Sequence, residues 1–158
     1  MIQEDKELLL KDLCARLPYS VKILHESWNY EWDDELSTLE RVAGIDDNFI
    51  YTKVIDTHNG EEYRDDKHPI DTFDDKPYLR PMSSMTEEEK AQLKQEHMKD
   101  AHLHAEALTK ASAGDNSMLG KVIPHFASDW CNKNHFDYRG LIEKGLALKA
   151  PEGMYKTK

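Results

Sequence analysis

Apolar positions open the chain at helical spacing. In EDKELLLKDLCARL, residues 4–17, Leu9, Leu10, Leu13 and Leu17 form a stripe that Leu8 and Cys14 widen. Pro18 ends this helix, because it lacks an amide hydrogen and its ring crowds the preceding turn. From Val21 the period changes to two. VKILHESWNYEW places Leu24, Trp28, Tyr30 and Trp32 on one face of a strand and Val21 and Ile23 on the other. STLERVAGI and DNFIYTKVID read as further strands, joined by a turn over residues 44–47. Asn59 and Gly60 signal a hairpin, since both tolerate positive φ. EEYRDDKHPIDTFDD gives one or two short edge strands, protected from stray pairing by Pro69 and the surrounding charges. The helix stripe and the strand face have no other targets, so Leu13, Leu17, Ile23, Trp28 and Ile50 are expected to be buried together.

The character of the chain changes within KPYLRPMSSMTEEEK, residues 76–90. Pro77 and Pro81 exclude a central strand and a continuous helix there. Thr86 is a good N-cap, and Glu89 three residues on completes a capping box. Glu87, Glu88 and Glu89 fill the first turn, where the helix dipole favours them. The helix is predicted over 86–112, with a narrow apolar seam of Met98, Ala101, Ala105 and Leu108. A helix this polar lies exposed or packs on a partner. Two short helices are predicted after it, over 124–134 and 138–144. The first has Pro124 in its opening turn and Phe126 with Trp130 as its buried pair. The second has Asp137 as cap and Gly145 as stop. APEGMYKTK reads as a frayed tail. The pattern therefore predicts an α+β protein. An N-terminal helix packs on a small antiparallel β-sheet or barrel over 1–82, and a helical region follows over 83–158.

Composition narrows what such a protein does. Residues 1–84 hold 10 Lys and Arg against 20 Asp and Glu, whereas residues 85–158 hold 11 of each. The whole net charge of −10 thus sits in the first half, which should repel a phosphate backbone. Nucleic acid is therefore not an expected partner. No apolar run approaches the roughly 20 residues of a membrane helix. MIQEDKELLL lacks the basic start of a secretory signal, so a cytoplasmic protein is expected. Cys14 and Cys131 are far apart and form no CxxC pattern, which predicts two buried free thiols.

Three clusters carry candidate chemistry. In HMKDAHLH, residues 97–104, His97, Asp100 and His104 fall on roughly one helix face, and imidazole and carboxylate are ordinary zinc or manganese ligands. Three groups over two turns cannot all reach one ion without help, so a solvated helix face is the expectation. Trp28, Tyr30 and Trp32 form a row that can stack bases or sugars, but Glu26, Glu31, Asp33, Asp34 and Glu35 surround it. It reads as core or protein interface. Asp65, Asp66, Asp71, Asp74 and Asp75 are dense in oxygen but lack the spacing and central glycine of a calcium loop. They read as a charged edge. Nucleotide-binding and nucleophile-elbow signatures are absent.

The words KDLCARLPYSVK at 11–22, PYLRPMSSMTEEE at 77–89 and NKNHFDYRGLIEKGLALKAPEGMY at 132–155 resemble a family of short hypothetical proteins. That family is carried by prophages and phages of gut anaerobes. The resemblance implies a cytoplasmic protein encoded on a mobile element. It brings no activity, and no catalytic or binding residue.

The expected function is a non-enzymatic interaction or regulatory protein of a mobile element, acting on a protein partner, with no cofactor and no catalytic or metal site. Two alternatives stand beside it. One is a small metal-dependent hydrolase using His97, Asp100 and His104. The other is a small-ligand binder that interferes with host defence signalling.

Overall fold

The computed structural model describes residues 2–29, 34–56, 60–113 and 125–155. Helix α1 spans Gln3–Arg16, and a short 3-10 turn at Leu17–Tyr19 follows it. Strands β1 (Lys22–Asn29), β2 (Asp34–Ile45), β3 (Phe49–Ile55) and β4 (Glu62–Pro69) then form an antiparallel meander. After a 3-10 turn at Ile70–Thr72 the chain enters β5 (Lys76–Leu79), which pairs with β1 on the side away from β2. Helices α2 (Glu87–Ser112) and α3 (Phe126–Lys133) come next, and β6 (Leu148–Lys149) pairs in parallel with β5. The result is one open six-stranded sheet in the order β4-β3-β2-β1-β5-β6. The α+β class is as expected, and of the two forms considered the sheet is open and not a barrel.

The alternation of each strand decides which face is covered. Directly paired residues share a face, and the register aligns Ile23 with Glu40, Glu40 with Val54, Val42 with Thr52 and Ile50 with His68. Leu9 and Leu13 of α1 pack on this face against Val21, Ile23, Val42, Ile50 and Leu79. Leu141, Leu146 and Ala147, from beyond α3, join the same cluster. Of the expected core, Leu13, Ile23 and Ile50 are fully enclosed and Leu17 packs at the margin. The side chain of Trp28, and all of Tyr30 and Trp32, lie outside the described residues. So do Asn59 and Pro124.

The sheet is strongly curled. Two strands separate β1 from β4, which is ~14 Å at ordinary strand spacing. Yet the rings of His25 on β1 and His68 on β4 have centroids 4.4 Å apart. A register shift between Val42 and Gly44 in β2 contributes, because a bulge bends its strand and increases local twist.

Around the sheet, several local expectations are met and others are corrected. Thr86 and Glu89 exchange both hydrogen bonds of the capping box, at 2.9 and 3.2 Å, and α2 starts directly after Thr86. The hairpin between β3 and β4 is present, with Gly60 at φ 75°. The helix expected over 138–144 is instead a series of turns. Asp137 does accept from the amides of Leu141 and Ile142, both at 2.8 Å, but Gly140 at φ 72° keeps the backbone out of a helix. In α3 the buried positions are Ala127, Cys131 and Asn132, one residue out of phase with the expected Phe126 and Trp130, which are half-buried. Cys14 is exposed, against expectation, and Cys131 is buried; both are free.

The end of the described chain is pinned and not frayed. The Tyr155 ring stacks on His135 with centroids 3.6 Å apart. Its hydroxyl accepts from the Lys22 amide at 3.0 Å and donates to the Tyr78 carbonyl at 2.9 Å. No helix among the described residues is long and apolar enough to cross a membrane.

Candidate metal centre

The enclosed face of the sheet carries polar residues in the phase of its core. His25 follows Val21 and Ile23 at a spacing of two, so it points to the covered side. Glu40, paired with Ile23 and Val54, is fully enclosed. Thr52 and His68 arrive from β3 and β4. The connection from β4 to β5 runs from one side of β1–β3 to the other and brings Phe73 into the core and Asp75 onto the same face.

These groups meet. Glu40 accepts from Thr52 Oγ1 at 2.6 Å, His68 Nε2 at 2.8 Å and Thr38 Oγ1 at 2.9 Å. With Nε2 committed to Glu40, Nδ1 of His68 lies 3.8 Å from Asp75 Oδ2. His25 Nδ1 lies 2.9 Å from Asp75 Oδ1. Ligand atoms of His25, His68 and Asp75 all fall within 4.8 Å of one another. Among the described residues this is the one group of three such ligands that converges.

The electrostatics of the two carboxylates differ. Burial alone would raise the pKa of Glu40, but the hydrogen bonds from His68, Thr52 and Thr38 outweigh it and hold the group at about 2. Burial would lower the pKa of His68, yet the Glu40 hydrogen bond and charge raise it. Asp75 is raised, because burial outweighs what His25 and His68 provide. The Glu40 charge is therefore well compensated and the Asp75 charge is not. A cation between His25, His68 and Asp75 would supply the deficit.

The donor set suits a borderline transition metal. Two imidazoles and one carboxylate at tetrahedral positions ~2.0–2.1 Å from zinc lie roughly 3.3 Å apart. The observed 2.9 and 3.8 Å, to the two different oxygens of Asp75, lie either side of that value. With one ligand atom from each residue all three fall within 4.8 Å, so binding an ion would draw them closer. Glu40 on the far nitrogen of His68 is the partner that metal-bound histidines usually have, fixing tautomer and ring orientation. His25 is the most open of the three, its side chain 25% exposed, and gives an entry path.

The cluster considered from sequence does not assemble. His97 is exposed. Asp100 accepts from the backbone amides of Phe126 and Ala127, at 2.7 and 3.0 Å, and so caps α3. His104 lies with Nδ1 2.7 Å from the Asp100 carbonyl. In the acidic segment, Asp65 pairs with Lys53, Asp66 with Arg64 and Asp71 distantly with Lys6. Asp74 is exposed, and Asp75 alone of the five is buried. His25 and His68 were not singled out in sequence. The available signal was His25 in phase with Val21 and Ile23.

Comparison with protein-family models, with curated proteins and with solved structures finds no match.

Proposed function

We propose that this protein is a non-enzymatic regulatory or interaction protein that binds one divalent transition-metal ion through His25, His68 and Asp75. The observation that carries the reading is the convergence of these three ligand atoms from β1, β4 and the β4–β5 connection, backed by Glu40. The net charge of −10 favours the approach of a cation. The ion would tie strand β4, at the sheet edge, to β1 and to the connection beneath it, so metal availability would control the integrity of the curled sheet. A hydrolytic role is less well supported. Glu40, the nearest carboxylate beyond the ligands, is fully enclosed and engaged by three donors, so it is poorly placed to activate water.

Protein purified without a histidine tag should bind one equivalent of Zn²⁺ by calorimetry and elemental analysis, and should melt at lower temperature in chelator. His25→Ala, at the most open ligand, and Asp75→Asn should abolish that binding while His97→Ala with His104→Ala retains it. Undiminished binding in His25→Ala, or loss of binding in the paired His97 and His104 variant, would overturn the assignment.

A further inference from the structure

The long helix α2 uses one face for its own chain. Glu89 receives a bidentate pair from Arg80, Leu93 packs on the cluster of Met85, Cys131 and Phe136, and Asp100 caps α3. Ala107, two turns beyond Asp100 on that side, is buried. The opposite face holds the apolar seam. Met98 is 65% exposed and Leu108 72%, and Ala101 and Ala105 between them are exposed too.

This seam has the a/d spacing of a two-helix interface, with Met98 and Ala105 at a and Ala101 and Leu108 at d. It is also palindromic about Leu103. Placed antiparallel to itself, it sets Met98 against Leu108 and Ala101 against Ala105, twice over. Large residues close both ends of the contact and small ones let the helices approach at its centre. The flanking positions Gln95, His97, His102, His104 and Thr109 include no Lys, Arg, Asp or Glu, although a third of the chain is charged. Pairing thus desolvates no carboxylate, ammonium or guanidinium between Met98 and Leu108. Lys94, at the preceding d position, falls beyond Met98 and level with Ser112 of the second copy.

We infer that α2 is a dimerisation helix, and that two copies of this chain associate through antiparallel α2 seams about a two-fold axis at Leu103. Charge selects the antiparallel sense. A parallel pair would bring together two acidic first turns, Glu87–Glu89, whereas the antiparallel pair sets them at opposite ends of helices ~39 Å long and opposes the helix dipoles. A self-complementary patch of this kind is what a two-fold interface requires. The contact is a single helix pair, which places the dimer in the weak, reversible class.

Analytical ultracentrifugation across a micromolar concentration series, in chelator so that no ion bridges surface histidines, tests the inference. Wild-type protein should pass from monomer to dimer, and Met98→Glu and Leu108→Glu should each stay monomeric with unchanged circular dichroism and melting. In a Cys14→Ser background, a mixture of Ala101→Cys and Ala105→Cys proteins should form the mixed disulfide dimer faster than either alone. Wild-type protein that is monomeric throughout, leaving the face for another protein, overturns the inference. So does undiminished dimerisation of Leu108→Glu, or preferential cross-linking of Ala101→Cys with itself. Neither readout depends on zinc, so this inference and the metal assignment fail separately.

Discussion

The His68 ring is strung between two carboxylates, with Nε2 2.8 Å from Glu40 and Nδ1 3.8 Å from Asp75. Glu40 therefore decides which nitrogen of His68 faces the candidate metal position. Glu40→Gln keeps the shape but removes the charge that fixes the tautomer. It should lower zinc affinity about 10–100-fold with the stoichiometry still one, as loss of such an outer partner usually does. Calorimetry reads both quantities. An unchanged dissociation constant would mean that Glu40 serves the sheet alone.

The elements of this fold were legible where the controlling interactions are local. The Thr86–Glu89 box spans one helical turn, and the Gly60 hairpin is similarly short-range, so letters alone locate both. The candidate site was not legible because its parts come from four strands and a connection. His25 and His68 become neighbours only when the sheet curls, and nothing within either strand encodes that distance. Asp75 was hidden among four other acids, of which Asp65, Asp71 and Asp74 are exposed and Asp66 half-buried, while it turns inward. Phase was the usable clue. A histidine alternating with Val21 and Ile23 belongs to the core face and needs a partner there. The 138–144 segment misled because its apolar spacing suits a helix, whereas Gly140 takes a left-handed conformation that breaks one.

Thr86→Ala should destabilise the protein by about 0.5–2 kcal/mol, the usual cost of losing such a cap. The hydroxyl accepts from the Glu89 amide, and Glu89 also binds Arg80 through both oxygens. Glu89 thus ties the start of α2 to the end of β5. Urea denaturation measures the loss, and hydrogen exchange should quicken first in the opening turn of α2. A neutral effect would mean that the Arg80 contact alone holds the turn.

Asp12→Ala should be far more costly, about 3–5 kcal/mol. Asp12 and Arg16 are both fully enclosed and joined by two hydrogen bonds, at 2.6 and 3.0 Å. Arg139 shares the same carboxylate, and Arg16 also donates to the Phe136 carbonyl at 2.8 Å. Removing Asp12 strands two guanidinium groups and unlinks α1 from the C-terminal turns. A denaturation midpoint barely below wild type would contradict this view of the cluster.

His135 should make stability fall on acidification. Burial, and then the nearby Arg16, Arg80 and Lys22, lower its pKa to about 4. Above pH 6.5 the ring is neutral whether folded or unfolded, and it contributes no slope. As pH falls from 6.5 toward 4, only the unfolded chain takes up the proton, so folding is progressively opposed, by at most about 3 kcal/mol. His135→Asn tolerates the same positive φ of 58° and does not titrate. Its stability should vary less than wild type between pH 6.5 and 4.5, because the contributions of the carboxylates are common to both proteins. Parallel profiles for the two proteins would show that His135 is not kept neutral by its surroundings.

Asp100 provides the test that separates capping from metal chemistry on α2. The residue preceding α3, His125, makes no side-chain capping bond, so the first amides of that helix depend on a carboxylate from α2. A negative group at a helix start also meets the positive end of its dipole. Asp100→Ala should therefore cost about 0.5–2 kcal/mol and expose the Phe126 and Ala127 amides to faster hydrogen exchange. Asp100→Asn, which still accepts a hydrogen bond but lacks the charge, should fall between it and wild type. Zinc binding should be the same in all three, because the proposed site is built from His25, His68 and Asp75 and takes no ligand from α2. If Asp100→Ala lost its zinc while keeping its stability, the carboxylate would be a ligand, and the site on α2 would have to replace the one under the sheet.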